Sequence, residues 1–156
     1  MVEALIKAGC DVDKAEKNNG ATPLLMAAQE GHAGVVKALI KGGCNVDQAK
    51  NDGATPVFMA ALKGHAGVVN ALIKAGCNVD KAEKNDGLTP VYIAAQEGHT
   101  GTVTELAGLG AHVTIALNGG LTPLYVAAQN GHTGTVTELA RLGADVTIAD
   151  NNGCTP

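Results

Sequence analysis

The side chains of this sequence best suited to bind a metal, form a disulfide or act as nucleophiles are His32, His65, His99 and His132, together with Cys10, Cys44 and Cys77. Their spacing argues against all three roles. Both sets recur every 33 or 34 residues, an interval that puts equivalent residues on successive structural units. Packed helices stand about 8–10 Å apart, beyond the roughly 4.4–6.8 Å that a disulfide tolerates between Cα atoms. No C-x-x-C pair is present to form half of a zinc site. The three cysteines are therefore expected as buried or half-buried free thiols acting as small hydrophobes. Reduced thiols favour an intracellular, cytoplasmic compartment. Each repeated histidine is expected to tie its own loop together by hydrogen bonds. His112 stands where other units carry Asp11, Asn45, Asn78 and Asp145, and reads as an exposed loop residue with no nucleophile beside it to activate.

Other catalytic signals are missing as well. There is no serine, no G-x-x-x-x-G-K-[ST] phosphate loop and no H-E-x-x-H pair. The carboxylates are repeat-spaced or terminal and form no evident acid/base pair. The expectation is no enzyme, no cofactor and no metal. Eleven Lys and Arg against 15 Asp and Glu give a net charge of −4, which argues against a generic phosphate-backbone binder. The charge is unevenly divided: residues 1–84 hold ten Lys and nine acids, whereas residues 85–156 hold Arg141 and six acids. Lys37, Lys41, Lys63 and Lys74 are expected on a solvated face, because acids are interspersed and stacking aromatics are scarce. No apolar run approaches the roughly 20 residues of a membrane helix, and Met1 to Cys10 lacks the long apolar stretch of a secretory leader.

The elements that carry these residues follow from the repeat itself. Thr-Pro recurs at Thr22, Thr55, Thr89, Thr122 and Thr155, and Gly-His follows ten residues after each of the first four. This register divides residues 1–156 into a leading piece 1–17, full units 18–50, 51–84, 85–117 and 118–150, and a stub 151–156, all in one domain. In each unit an Asn-Gly, Asp-Gly or Gly-Gly pair marks a tight turn. Thr then caps a helix whose first residue is Pro. A short first helix such as Leu24 to Gln29 ends at Gly31, and a second such as Val35 to Lys41 is closed by Gly42-Gly43. Helices this short are marginal alone, so stability must come from stacking. Apolar spacing at i, i+3 and i+4 assigns Leu39, Ile40, Leu72, Ile73, Leu106 and Leu139 to the core. Val2, Leu5 and Ile6 lack a preceding unit, and uncapped solenoid ends fray or associate, so end-to-end self-association is expected.

The stretch NDGATPVFMAALKGHAGVVNALIKAGCNVD resembles an ankyrin repeat, whose pattern centres on T-P-L-H-x-A with a period near 33. The resemblance covers essentially the whole chain. It implies an all-α repeat solenoid of stacked helix-turn-helix units with β-turn fingers, and protein binding through those fingers and the concave face of the first helices. The sequence departs from the pattern in four ways. Leu25, Phe58, Tyr92 and Tyr125 replace the motif histidine, and one residue is inserted within 14–20 and within 81–87, which should enlarge those fingers. Gly34, Gly67, Gly101 and Gly134 stand in the first turn of each second helix, and the array falls into two pairs, A-G-V-V-x-A-L-I-K and T-G-T-V-T-E-L-A.

What remains is a recognition surface. By position, the finger residues Asn18, Asn19, Ala21, Asn51, Asp52, Ala54, Asn85, Asp86, Leu88, Asn118 and Leu121 are expected to face outward. The pairs Gln29-Glu30, Leu62-Lys63, Gln96-Glu97 and Gln129-Asn130 are expected to line the concave side. Turn chemistry alone can select Asn and Asp in fingers, whereas exposed Leu62, Leu88 and Leu121 suggest contact with a partner. The partner site is accordingly assigned to Asn51, Asp52, Leu62, Lys63, Asn85, Asp86, Leu88, Gln96, Glu97, Asn118, Leu121, Gln129 and Asn130. Its ligand would be a protein, not nucleic acid or membrane. High self-similarity supports an alternative, a spacer in a longer solenoid or an engineered near-consensus scaffold with no partner of its own.

Overall fold

The computed structural model describes every residue except Met1, Val2, Glu3, Leu5, Lys7 and Asn118. The expectations on Val2, Leu5 and Asn118 therefore lie outside the described residues. Among the described residues there are eight complete α-helices and no strand. The first helices are α1 (Pro23–Gln29), α3 (Pro56–Leu62), α5 (Pro90–Gln96) and α7 (Pro123–Gln129). The second helices are α2 (Ala33–Lys41), α4 (Ala66–Lys74), α6 (Thr100–Gly108) and α8 (Thr133–Arg141).

Each first helix begins as the Thr-Pro pair dictates. The hydroxyls of Thr22, Thr55, Thr89 and Thr122 accept from the backbone N–H three residues on, at 3.2, 3.3, 3.2 and 3.1 Å, and Pro occupies the first turn. All four threonines are buried, so the cap is a buried hydrogen bond that water cannot replace. Leu25, Phe58 and Tyr92, at the motif-histidine position, are buried and Tyr125 is half-buried. The second helices start at residue 33 or its equivalents, two residues earlier than expected, and so include Gly34, Gly67, Gly101 and Gly134.

The helices form two layers. First helices pack on neighbouring first helices, second helices on neighbouring second helices, and each first helix on the second helix that follows it. Between the layers Leu39, Leu72, Leu106 and Leu139 are buried, while Ile40 and Ile73 are half-buried against the same core.

Three of the four repeated histidines act across units, not within their own loops as the spacing predicts. Nε2 of His65, His99 and His132 donates to the carbonyls of Gln29, Leu62 and Gln96 in the preceding repeat, at 3.0, 3.1 and 2.9 Å. The carbonyls at the ends of the first helices need partners, and the next repeat supplies them. The Gly of the preceding Gly-His pair makes room: Gly64 has φ of 73°, and a Cβ there would stand 2.7 Å from the His99 ring. A second polar ladder runs beyond the second helices. Asp13 accepts from Asn45 N–H at 2.9 Å, Asp47 from Asn78 N–H at 2.9 Å, and Asp80 from His112 N–H at 3.0 Å.

Gly34 and Gly101 have no such reason to be glycine. Each is helical, and a Cβ at either position would meet nothing within 4 Å. Gly34→Ala and Gly101→Ala should each stabilise the fold by about 0.4–1 kcal/mol, raising the thermal midpoint by a few degrees. Calorimetry of the two variants checks this, and a lowered midpoint would show that the second helices do not begin at Ala33 and Thr100.

Candidate protein-binding surface

The ends of the loop before each first helix are joined by a backbone hydrogen bond, Glu16 N–H to Ala21 O, Lys50 to Ala54, Glu83 to Leu88 and Leu117 to Leu121, and Asp150 to Cys154 repeats it after the last helix. The loops at 16–21 and 83–88 are one residue longer than the others, and a glutamate at the start of each organises the extra length. Glu83 is only 8% exposed. Its carboxylate accepts from the N–H groups of Asn85 at 2.6 Å, Asp86 at 2.7 Å and Leu88 at 3.2 Å. In the shorter loop Asp52 does comparable work, accepting from Ala54 N–H at 3.0 Å and pairing with Lys50 at 2.8 Å. Asp52 is engaged in its own turn, whereas Glu83 makes the turn for Asn85 and Asp86 and leaves their side chains exposed.

Burial pushes the Glu83 carboxyl up, but the hydrogen bonds from Asn85, Asp86, Leu88 and Gly87 outweigh it and hold the group below its ordinary 4.5. A carboxyl depressed on folding contributes stability that is present above its unfolded value and lost as pH falls through its folded value. Glu83→Gln should therefore lower stability by about 1 kcal/mol at pH 7. The gap between variant and parent should narrow below about pH 4.5, as urea denaturation across pH would show. A gap independent of pH would contradict the role given to this carboxylate.

The partner-site residues divide by position. Asp52, Leu62, Asn85, Asp86 and Leu88 line one surface depression, with Phe58, Met59 and Ile93 among the residues beneath them. Asn85, Asp86 and Leu88 also border a second depression with Tyr92, Gln96 and Leu117, so the 83–88 loop is the wall between the two. Lys63 and Glu97 are exposed at the ends of α3 and α5. Gln129 and Asn130 are exposed at the end of α7, where Asn130 Nδ2 donates to Gln96 O at 2.9 Å. Asn51 is exposed, with its backbone and side chain bound to the carbonyls of Asn19 and Asn18.

The residues expected to face outward in the loops and on the concave side do not all do so. Ala21 and Ala54 are buried, and Leu62, Leu88 and Leu121 are half-buried against the core. Ala21, Ala54, Leu88 and Leu121 each precede a capping Thr, a position whose side chain commonly packs on the helix's fourth residue. Leu88 and Ile93 have that spacing and line the same depression. The Thr-Pro register held this signal, and so did the glutamate shared by the two longer loops. A substitution at Leu88 consequently affects stability.

The remaining reactive groups belong to the framework. Cys44 and Cys77 are buried free thiols, but Cys10 is exposed, against expectation, as is Cys154. Cys10 lies in the turn ahead of the first complete helix pair, outside the layers that cover its counterparts. Burial and the nearby Asp47 carboxylate push the Cys77 thiol up to about 12, and burial with Asp13 raises Cys44, so neither is a nucleophile at neutral pH. His112 is exposed as expected, with Nδ1 2.6 Å from Asp80. Among the described residues no group of three or more His, Cys, Asp or Glu converges to hold a metal ion, and no helix is long and apolar enough to cross a membrane.

A family model of ankyrin repeats, spanning three copies, matches residues 1–83 and again 76–150. No curated protein matches the chain at a significant level. With paired helices at every repeat and the family match running over 1–150, the chain belongs to the ankyrin-repeat family.

Proposed function

We propose that this chain is a non-catalytic protein-binding module of one domain, which takes a protein partner on the concave face of its first helices and on the finger loops. Ankyrin repeats are in general protein–protein interaction modules. The observation that carries the reading is the meeting of Asp52, Leu62, Asn85, Asp86 and Leu88 around one depression. It combines an apolar floor with the exposed side chains of Asn85 and Asp86 at the rim, the anatomy of a recognition patch. Lys63 and Glu97, exposed at the ends of α3 and α5, carry opposite charges that would set partner orientation and association rate. Asn51, Gln96, Leu121, Gln129 and Asn130 extend the surface along the array, and the free cysteines suit an intracellular setting.

The test is site-specific photo-crosslinking in cell extract, with the crosslinker placed at Lys63, at Asp86 and, on the outer layer, at Thr137. The expected result is a discrete partner captured from the first two positions and not from the third. Reversing charge with Lys63→Glu and Asp86→Lys should reduce that capture about tenfold without unfolding, since both side chains are exposed. Capture of nothing, or equal capture from all three positions, would favour a spacer without its own partner.

A further inference from the structure

The outer layer of second helices is sealed differently along its length. Between α4 and α6, Asn70 Nδ2 donates to the Glu105 carboxylate. Between α6 and α8, Thr104 donates to Glu138 at 2.9 Å, and the hydroxyls of Thr100 and Thr135 meet at 2.7 Å. Between α2 and α4 the corresponding residues cannot do this. Ala71 stands in the register of Glu105 and Glu138, and Lys37 in that of Asn70 and Thr104. No side-chain hydrogen bond joins α2 to α4 among the described residues, and a groove of about 600 Å³ lies along this seam.

The groove has a definite chemistry. Ile40, Ala71 and Ala75 supply half-buried apolar surface, and Lys37, Lys41 and Lys74 stand exposed along its walls. None of the three lysines has an ion pair among the described residues. Lys37 and Lys41 are four apart on one helix and share a face. Glu105 is the one acid on the lining, and Asn70 already engages it. The positive charge is local, since the whole chain carries −4.

We propose that the α2/α4 seam is a second binding site, on the opposite layer from the first-helix surface, for a short acidic amphipathic peptide segment. Apolar side chains of the peptide would cover Ile40, Ala71 and Ala75 while its carboxylates meet the three lysines, the helix-in-groove mode of recognition. Helices of nine residues are about 13 Å long, which suits a segment of two to three turns. A nucleic acid fits less well. The lining has no aromatic side chain for base stacking, and it carries a carboxylate at one edge.

The probe is a capped, fluorescein-labelled 12-residue peptide of Glu and Leu at helical spacing, titrated with the whole chain by fluorescence anisotropy. Saturable one-to-one binding that weakens with added salt is expected, with amide shift changes confined to α2 and α4. Lys37→Glu, Lys41→Glu and Lys74→Glu together should weaken it at least about tenfold, as loss of three charge contacts implies. The milder Gln triple variant should reproduce the direction if reversal disturbs folding. Transplanting the next seam with Lys37→Asn and Ala71→Glu should also weaken binding about tenfold by closing the groove, with the helical circular dichroism retained. The proposal is overturned if these variants bind as the parent does, or if a peptide with Gln for Glu binds equally. It is also overturned if single-stranded oligonucleotides or anionic lipid vesicles bind as tightly at the same salt concentration.

Discussion

No helix of this chain is long enough to stand alone: complete helices of seven and nine residues lie below the length at which an isolated helix persists in water. Everything else depends on how one repeat is joined to the next. Apolar burial supplies most of the stability, through Val36, Leu39, Val68, Leu72, Val103 and Leu106 in the outer layer and Leu24, Val57, Val91 and Leu124 in the inner. Burial is not directional, however, and small aliphatic side chains could slide against one another. The imidazole that reaches back to a helix-end carbonyl, and the aspartate that accepts the next repeat's N–H, convert a greasy contact into a fixed register.

A framework fixed in this way leaves the remaining positions free to vary, and the chain varies them in two places. In the loops before the first helices, an aspartate within a short turn or a glutamate at the head of a longer one decides which polar side chains are left exposed. In the outer layer, a glutamate or an alanine at one register position decides whether a seam is sealed or open. Glu138 takes part in one of these seals, and hydrogen bonds from Arg141 on its own helix and then from Thr104 across the seam hold its carboxyl at about 2, below the ordinary 4.5.

Much of this was legible in the sequence because the repeat has so many constraints per unit. Thr-Pro locates each first helix, and helical spacing alone places Leu39, Leu72, Leu106 and Leu139 in the core, where they are buried. What the sequence hid were the interactions that cross from one unit to another. A histidine at fixed period looks local in a linear string, and only stacking brings His99 against Leu62. The leucines at 62, 88 and 121 read as exposed because they flank turns, yet each turns inward and covers the core edge. Leu88 and Leu121 precede caps, and Leu62 ends α3. Glu83 was invisible as a functional residue because a charged side chain in a loop is ordinarily solvent-facing. Its inserted neighbour was the clue, since an extra residue in a tight turn leaves N–H groups that something must accept.

The claim that repeats are held in register by bonds across their seams is tested most directly by native-state hydrogen exchange on His99→Ala. The account predicts that protection falls together in α3 and α4 on one side of the seam and in α5 and α6 on the other, because the lost bond belongs to both repeats. Loss of protection confined to the loop around residue 99 and the start of α6 would contradict it, and would return the histidine to a local role.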